Sequence, residues 1–345
     1  PRGALLGPDL RSPRPSPTGH TLHFAERRVT PSSGCRAFAP ASIGNLACGF
    51  DVLGLALEGP GDEVEARPVS EPGVRILEIH GDRSRLPREA KRNTAGAAAL
   101  AVLEETDDPG GVELVLRKGL PLAAGMGGSA ASAVAAAVAV DRLLEAHLPL
   151  ETLLHCALAG EAVASGEAHP DNVAPSLLGG LVLVPAWDPP RAIELEVPPD
   201  LMVAHVHPHV EVETRAAREV LGGTVSLPDA VAQWGNTAAL VAGLFRQDWE
   251  IIGRSVEDRV AEPLRAPAVP AFREVKAAAL RAGAVAAGLS GSGPSLFALC
   301  RGREVARAVG EAMVRAFLEQ GGLEADLLVS RGRAPGARIT SDPTA

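Results

Sequence analysis

From Cys35 onward the chain alternates between short runs with apolar residues at every second position and longer runs with apolar residues at helical spacing. A strand is predicted from about Cys35, then a turn-rich ASIGNLACGFD and a second strand in VLGLAL. Residues 62–69 and 73–79 alternate as further strands, Thr94 to Glu105 reads as an Ala-rich helix, and Val112 to Leu116 returns as a strand. Pro121 to His147 then packs three glycines into four residues before an unbroken helix former, and a helix follows over Glu151 to Ser165. Leu181 to Val184 is an apolar strand, and the Pro-rich 187–191 segment reads as the boundary between two halves. The second half opens with a strand over 201–208 and a helix start carrying Arg215 and Arg218. Helices are predicted at about 228–246, 249–257 and 270–282, and two strands within 283–300 are joined by a second Gly/Ser loop. A helix over 303–320 and a strand over 325–331 close the pattern, with residues 332–345 expected as a loose tail. Many of these strands must pair antiparallel, so the expected class is α+β in two layers, without internal repeats.

Residues 1–34 differ in kind. They are rich in Pro, Arg, Ser and Gly, carry only Asp9 and Glu26 as acids, and read as an unfolded N-terminal extension. They show neither the amphipathic pattern of a transit peptide nor the hydrophobic run of a signal peptide. The expected organisation is this extension, an N-terminal domain over 35–195, a C-terminal domain over 196–331 and the tail.

Composition narrows the function classes. A net charge of −9 argues against nucleic acid or an anionic membrane as partner, since both reward basic faces. No stretch approaches the roughly 20 apolar residues of a membrane span. The four cysteines are widely separated, lack metal-ligand spacing, and read as buried thiols of a cytoplasmic protein.

Candidate chemistry centres on the glycine-rich stretch. Gly125, Gly127 and Gly128 beside Ser129 and Ser132 can cradle an anion, because glycine lets the backbone approach and a helix N-terminus offers free N–H groups. The same string also fits a plain loop before a core helix. A second Gly/Ser loop at 290–295 favours the cradle, although neither loop matches the P-loop or dinucleotide strings. Phosphoryl transfer needs a nest for phosphates, oxygen ligands for Mg²⁺ and a cation for developing charge. The loop, the pair Ser129 and Glu161, and Arg215 could supply these in turn. His169, Asp171 and Asn172 crowd a Pro-containing turn and either cap a helix or line a site.

Three segments, PASIGNLACGFDVLGLAL, PLAAGMGGSAAS and GAVAAGLSGSGPSLFAL, resemble in order and spacing the signature motifs of the GHMP small-molecule kinase superfamily. Within it, HPDNVAPSLLGG, VETRAAR and EPLR resemble the homoserine kinase family. The resemblance runs from about Arg36 to Val329. It implies ATP-dependent phosphorylation of the L-homoserine hydroxyl on the way to threonine, a homodimer, and a two-domain fold. That fold has an N-terminal domain with a left-handed β-α-β unit and a ferredoxin-like C-terminal domain.

Residue by residue, the resemblance places Asn45 and Asp51 at the homoserine amino and hydroxyl end, with His169 and Asp171 lining the acceptor pocket. Arg215 and Arg265 face the substrate carboxylate or the transferring phosphate, where a guanidinium can grip an oxygen pair. Pro121, Gly125, Met126, Gly127, Gly128, Ser129 and Ala130 form the ATP loop, Asn93 contacts adenine, and Ser129 and Glu161 ligate Mg²⁺. Asn172 stands where several relatives carry an aspartate; an amide cannot accept the proton, so Asn172 is expected to orient the hydroxyl. Gly128 replaces a common serine, which should tune nucleotide affinity. A kinase for another hydroxylated acid, such as mevalonate or shikimate, and a non-catalytic sensor are the alternatives. Arg265 with the His-Pro-Asp-Asn turn opposes the first, and the retained Ser129–Glu161 pair opposes the second.

Overall fold

The computed structural model describes residues 34–107, 110–166 and 168–341. The expected extension falls outside these residues apart from Gly34. Two sheets carry the fold. In the first, β1 (Cys35–Gly44) and β2 (Leu53–Val69) pair antiparallel, and β2 runs unbroken through the two strands expected at VLGLAL and 62–69. Pro60 interrupts the apolar pattern but not the strand: the register shifts between Pro40 and Ser42, and Gly61 lies so close to β1 that a Cβ there would come within 2.2 Å of the Ala39 carbonyl oxygen. A glycine is required at that crossing.

The strands β3 (Gly73–His80) and β4 (Gly111–Arg117) pair parallel across α1 (Thr94–Glu105), and β4 pairs antiparallel with β2. The β-α-β unit is therefore β3-α1-β4. The helices α2 (Gly128–Leu144), α3 (Leu150–Ser165) and α4 (Pro170–Leu178) follow. Between Ala130 and Val140 every residue of α2 except Val138 is fully shielded, which only a run of small side chains permits at this helix density. Gly160 of α3 wedges between α1 and α2, where a Cβ would meet the Thr94 carbonyl oxygen at 2.4 Å and the Ala133 and Ala98 methyls at 2.9 Å. The short strands β5 (Leu181–Leu183) and β6 (Ile193–Leu195) extend the sheet from β2.

The second sheet has the order β10-β7-β9-β8, formed by β7 (Leu201–Pro208), β8 (Ala286–Leu289), β9 (Leu296–Arg301) and β10 (Ala325–Arg331), all antiparallel. Between β7 and β8 run α5 (Thr214–Glu219), α6 (Leu227–Arg246), α7 (Trp249–Ser255), α8 (Glu262–Arg265) and α9 (Phe272–Arg281). With α10 (Arg303–Gly321), α9 covers one face of this sheet, giving the β-α-β-β-α-β ferredoxin-like arrangement. Alternation along β7 sends Met202, Ala204 and Val206 into the core under α9 and α10, and Leu201 and Val203 into the core of the first sheet. His205 and His207 share that second face.

Two expectations require correction. Residues 338–341 of the expected loose tail form β11 (Arg338–Ser341), which pairs with β1 and so returns the chain end to the first sheet. The expected division at 195/196 separates the two sheets but not the packing: Leu201, Val203, Leu240, Leu244, Phe297 and Leu299 belong to the same buried cluster as β1, β2 and α2, and the described residues fall in one compact unit. The four cysteines are buried, and burial pushes the Cys48, Cys156 and Cys300 thiols up to about 12. Among the described residues no helix is long and apolar enough to cross a membrane.

Candidate active site

The glycine-rich loop leaves β4 and enters α2 through backbone that side chains resist. Ala123, Gly125 and Gly127 all have positive φ (52°, 70° and 66°), and Gly127 is the residue from which α2 starts. A Cβ on Gly127 would lie 2.2 Å from Ser42 Oγ, and one on Gly125 would lie 2.5 Å from the Gly293 carbonyl oxygen. The two motifs that flank the loop therefore touch it directly. Ser42 donates its N–H to the Met126 carbonyl (3.1 Å) and its hydroxyl to Asn172 Oδ1 (3.0 Å).

The loop forms one wall of a cleft of about 500 Å³. Gly127, Gly128, Ser129, Lys118 and Glu161 line it together with His169, Asn172, Gly291 and Ser292, and Asn172 Oδ1 would lie 3.0 Å from a Cβ on Gly127. Pro121, Gly125 and Met126 line it as expected, whereas Ala130 is fully buried behind the loop and contributes packing. Ser129 Oγ donates to Glu161 Oε1 at 3.0 Å. Burial, and to a lesser degree the nearby Asp171, push the Glu161 carboxyl up to about 8, while the Ser129 hydrogen bond and Lys118 oppose the rise. A hydroxyl and a buried carboxyl group side by side are hard oxygen donors of the kind Mg²⁺ takes.

Under the loop lies a charged group that the sequence reading missed. Lys118 is ion-paired with Asp62 and donates to the Gly128 carbonyl (2.8 Å) and Ser132 Oγ (2.9 Å). Asp62 in turn accepts from Ser132 Oγ (2.7 Å) and from the Gly119 and Leu120 N–H groups (3.1 and 3.2 Å). Both side chains are almost wholly shielded. The loop's first turn is thus anchored from below by a lysine that also borders the cleft. Only its position at the end of a predicted strand just before the glycines could have drawn attention to it.

Around His169 and Asn172, the expected substrate residues come together. Asp171 Oδ2 accepts the Asn45 N–H (3.0 Å), Asn45 Oδ1 accepts the Asp51 N–H (3.0 Å), and Asn45 and Asp51 both have positive φ. Asp51, His169 and Asp171 converge so closely that one atom from each falls within 4.8 Å of the others. Asp51 Oδ2 is held by Arg218 NH1 at 2.6 Å. Arg265 is buried and donates to the Ala217 and Gly291 carbonyls (3.0 and 3.1 Å). Both arginines approach the Phe50 ring, their guanidinium carbons standing 5.2 Å (Arg218) and 5.5 Å (Arg265) from its centre. Burial and the Asp51 charge raise the Asp171 carboxyl to about 7.

One expected residue belongs elsewhere, and a second has a neighbour that shares its task. Arg215 lines the cleft with a side chain that is 81% exposed and 3.5 Å from Glu219, whereas Arg218, three residues further along α5, is the arginine paired with Asp51. Asn93 does not line the cleft: its Oδ1 caps α1 by accepting from the Ala95 and Gly96 N–H groups, and its Nδ2 donates to the Pro87 carbonyl. The neighbouring Thr94, with Arg85 and Leu86, borders the cleft instead.

The third motif closes the loop from the second sheet. Ser290 Oγ donates to the Gly125 carbonyl (2.7 Å) and Ser295 Oγ to the Ala124 carbonyl (2.6 Å), while Gly291 N–H reaches the Gly44 carbonyl (3.2 Å). All three glycine/serine motifs therefore meet at one point.

Comparison with known proteins agrees with this geometry. The family model for the GHMP kinases N terminal domain matches residues 93–180, and that for GHMP kinases C terminal matches residues 240–320. The homoserine kinase of Chlorobaculum tepidum is 46% identical over 317 residues, covering 88% of this chain and 97% of that one. That of Xylella fastidiosa is 42% identical over 334 residues, covering 97% and 98%. The crystal structure of homoserine kinase from Cytophaga hutchinsonii superposes with a TM-score of 0.85 at 44% identity, covering 92% of this chain and 99% of that chain. A mevalonate kinase from L. major shares the fold at a TM-score of 0.65 and 14% identity. With GHMP kinase domains in both halves and homoserine kinases matching nearly its whole length, the chain belongs to the homoserine kinase family of the GHMP kinases.

Proposed function

We propose that this protein transfers the γ-phosphoryl group of ATP to the side-chain hydroxyl of L-homoserine, giving O-phospho-L-homoserine. One observation carries the reading: a positive-φ glycine loop at the N-terminus of α2 lines one cleft with His169 and Asn172, and His169 in turn converges with Asp171 and the Arg218-paired Asp51. The loop's N–H groups and the helix dipole favour the triphosphate, and the Lys118–Asp62 pair holds the start of α2 in place. Ser129 and Glu161 would hold Mg²⁺, which when bound neutralises phosphate charge.

In the acceptor pocket, Asp51 meets the substrate ammonium, and Arg218 and Arg265 meet its carboxylate, exchanging the internal Asp51–Arg218 pair for contacts to the zwitterion. His169 and Asp171 shape this pocket, and Asn172, fixed by the Ser42 hydroxyl, orients the acceptor hydroxyl toward the loop. Since an amide takes no proton, the hydroxyl proton passes to the phosphate or to water, and rate enhancement rests on positioning and electrostatics. The acting unit is proposed to be a cytoplasmic homodimer.

A coupled ADP-release assay with ATP, Mg²⁺ and a panel of alcohols tests this. Turnover is expected with L-homoserine and not with mevalonate or shikimate. Turnover with mevalonate alone, or saturable homoserine binding without ADP, would overturn it.

A further inference from the structure

Two buried histidines have no part in the chemistry above. His205 and His207 lie on the face of β7 turned toward the first sheet, His205 at 1% exposure and His207 at 8%. His205 Nε2 stands 3.3 Å from Ser290 Oγ, and His207 Nδ1 stands 3.1 Å from Ser295 Oγ. Each serine has a single hydroxyl proton, and each directs it at a carbonyl of the phosphate loop, Gly125 for Ser290 and Ala124 for Ser295. The serine oxygen can therefore only accept from its histidine. This assigns the ring proton to Nε2 in His205 and to Nδ1 in His207. The consequence is two parallel relays, histidine to serine to loop carbonyl, that run from the second sheet into the loop.

We propose that His205 and His207 are positioning residues for ATP, each fixing the glycine loop in its phosphate-binding shape through one motif-three serine. The proposal rests on the nucleotide reading of the cleft. Ala123 holds a positive φ that its side chain resists, and Gly125 and Gly127 leave the backbone free to take many shapes, so the loop needs outside restraint to keep this one. The carbonyls of Ala124 and Gly125 turn toward the second sheet, where the serines satisfy them, which leaves the neighbouring N–H groups for the cleft. Charge would spoil the device at His205, where protonation would put an unpaired cation in a fully buried site beside Ser290. Burial holds both rings neutral, with His205 pushed down to about 3 and His207 also lowered. The relay residues come from the C-terminal half and the loop from the N-terminal half, so nucleotide affinity depends on how the two sheets are fitted together.

The test separates a hydrogen-bond role from a packing role by which nitrogen is kept. Gln places an amide N–H where His205 has Nε2–H, and Asn places one where His207 has Nδ1–H. Leu fills either site without a donor. Binding of a non-hydrolysable ATP analogue is read by calorimetry, and homoserine KM by the ADP assay. His205→Leu and His207→Leu are expected to weaken analogue binding about tenfold with homoserine KM unchanged, and His205→Gln and His207→Asn to recover it to within about threefold. Equal weakening in the Leu and amide variants, wild-type binding in the Leu variants, or a matching loss for homoserine would each overturn the proposal. Should a Leu variant fail to fold, Ser290→Ala and Ser295→Ala cut the same relays without reshaping the core. Weakened analogue binding there supports the proposal and unchanged binding overturns it. A wild-type chain that binds no analogue would instead overturn the nucleotide reading, and this inference with it.

Discussion

Arg215 and Arg218 sit three residues apart on α5, and only Arg218 reaches the acid at the acceptor end. Sequence shows both cations near a helix start but not how deep the first turn enters the cleft. Phe50 was equally illegible, because an aromatic residue in a turn reads as packing until two guanidinium groups are found on its ring. Removing either pocket arginine, as Arg218→Ala or Arg265→Ala, should weaken homoserine binding by about 2 kcal/mol, as for a cut charge pair, with ATP affinity unchanged. Arg215→Ala should shift homoserine KM by less than about twofold, as expected of an exposed surface charge. Steady-state kinetics with each substrate varied in turn checks both, and an effect of Arg215→Ala as large as that of Arg218→Ala would reverse the assignment.

Asp171 gives a residue-scale prediction of another kind. Its carboxyl is raised to about 7 by burial and by Asp51, from an ordinary value of 3.8. The folded chain therefore keeps a proton that the unfolded chain gives up, and this contribution to stability, complete below the unfolded value, is lost as pH rises through the folded one. Asp171→Asn retains an oxygen for the Asn45 N–H and removes the titration. Its Tm in the absence of ligands should exceed that of the wild type by a margin that grows between about pH 4 and pH 7 and then levels. A margin independent of pH would show that Asp171 is ionised throughout.

At the scale of the element, the loop entering α2 was legible only in company: three glycines in four residues also fit a plain loop before a core helix, and the second Gly/Ser loop and the motif resemblance favoured the cradle. Its supports were not legible. Asn93 stands at the helix start, the resemblance gave it an adenine contact, and its side chain is spent on the cap, because a cap and a contact demand the same polar residue before a helix. Lys118 looked like a strand end and is the anchor of the loop, since the pairing with Asp62 spans 56 residues of sequence. Two substitutions in this element should behave oppositely. Gly127→Ala meets both a positive φ and Ser42 Oγ at 2.2 Å, so it should displace the loop, cost about 1–2 kcal/mol or more in stability and weaken ATP binding. At Gly128 an added Cβ would find nothing nearer than 3.6 Å, so Gly128→Ser should fold normally, keep turnover and tighten ATP binding by a few-fold. Thermal unfolding and ATP titration of the two variants decide it; loss of folding in Gly128→Ser would mean that the missing hydroxyl is a steric requirement.

For the whole molecule, strand and helix order followed from periodicity, but the closure of the chain on itself did not. Four residues after a Pro- and Gly-containing turn carry too little pattern to be read as a strand, and β11 is defined by its partner, through pairs from Arg36↔Ser341 to Phe38↔Arg338. The segment leading to it is tied down as well. Gly180 N–H reaches the Ala334 carbonyl (2.8 Å), Ala337 N–H reaches the Leu177 carbonyl (3.1 Å), and Gly179 bridges to Pro335. These bonds fall on the C-terminal end of α4, the helix whose first turn carries His169, Asp171 and Asn172. The chain end therefore braces the acceptor pocket from behind, while β10 and the motif-three loop attach the second sheet to the nucleotide side. Ending the chain after Arg331 should lower Tm and loosen α4 without touching the glycine loop. Homoserine KM should accordingly rise several-fold while ATP KM stays near that of the full chain. Hydrogen exchange would show faster opening at residues 173–180 than at 128–140. If both KM values rose together, or if exchange in α4 were unchanged, β11 would be a strand that merely covers the edge of β1.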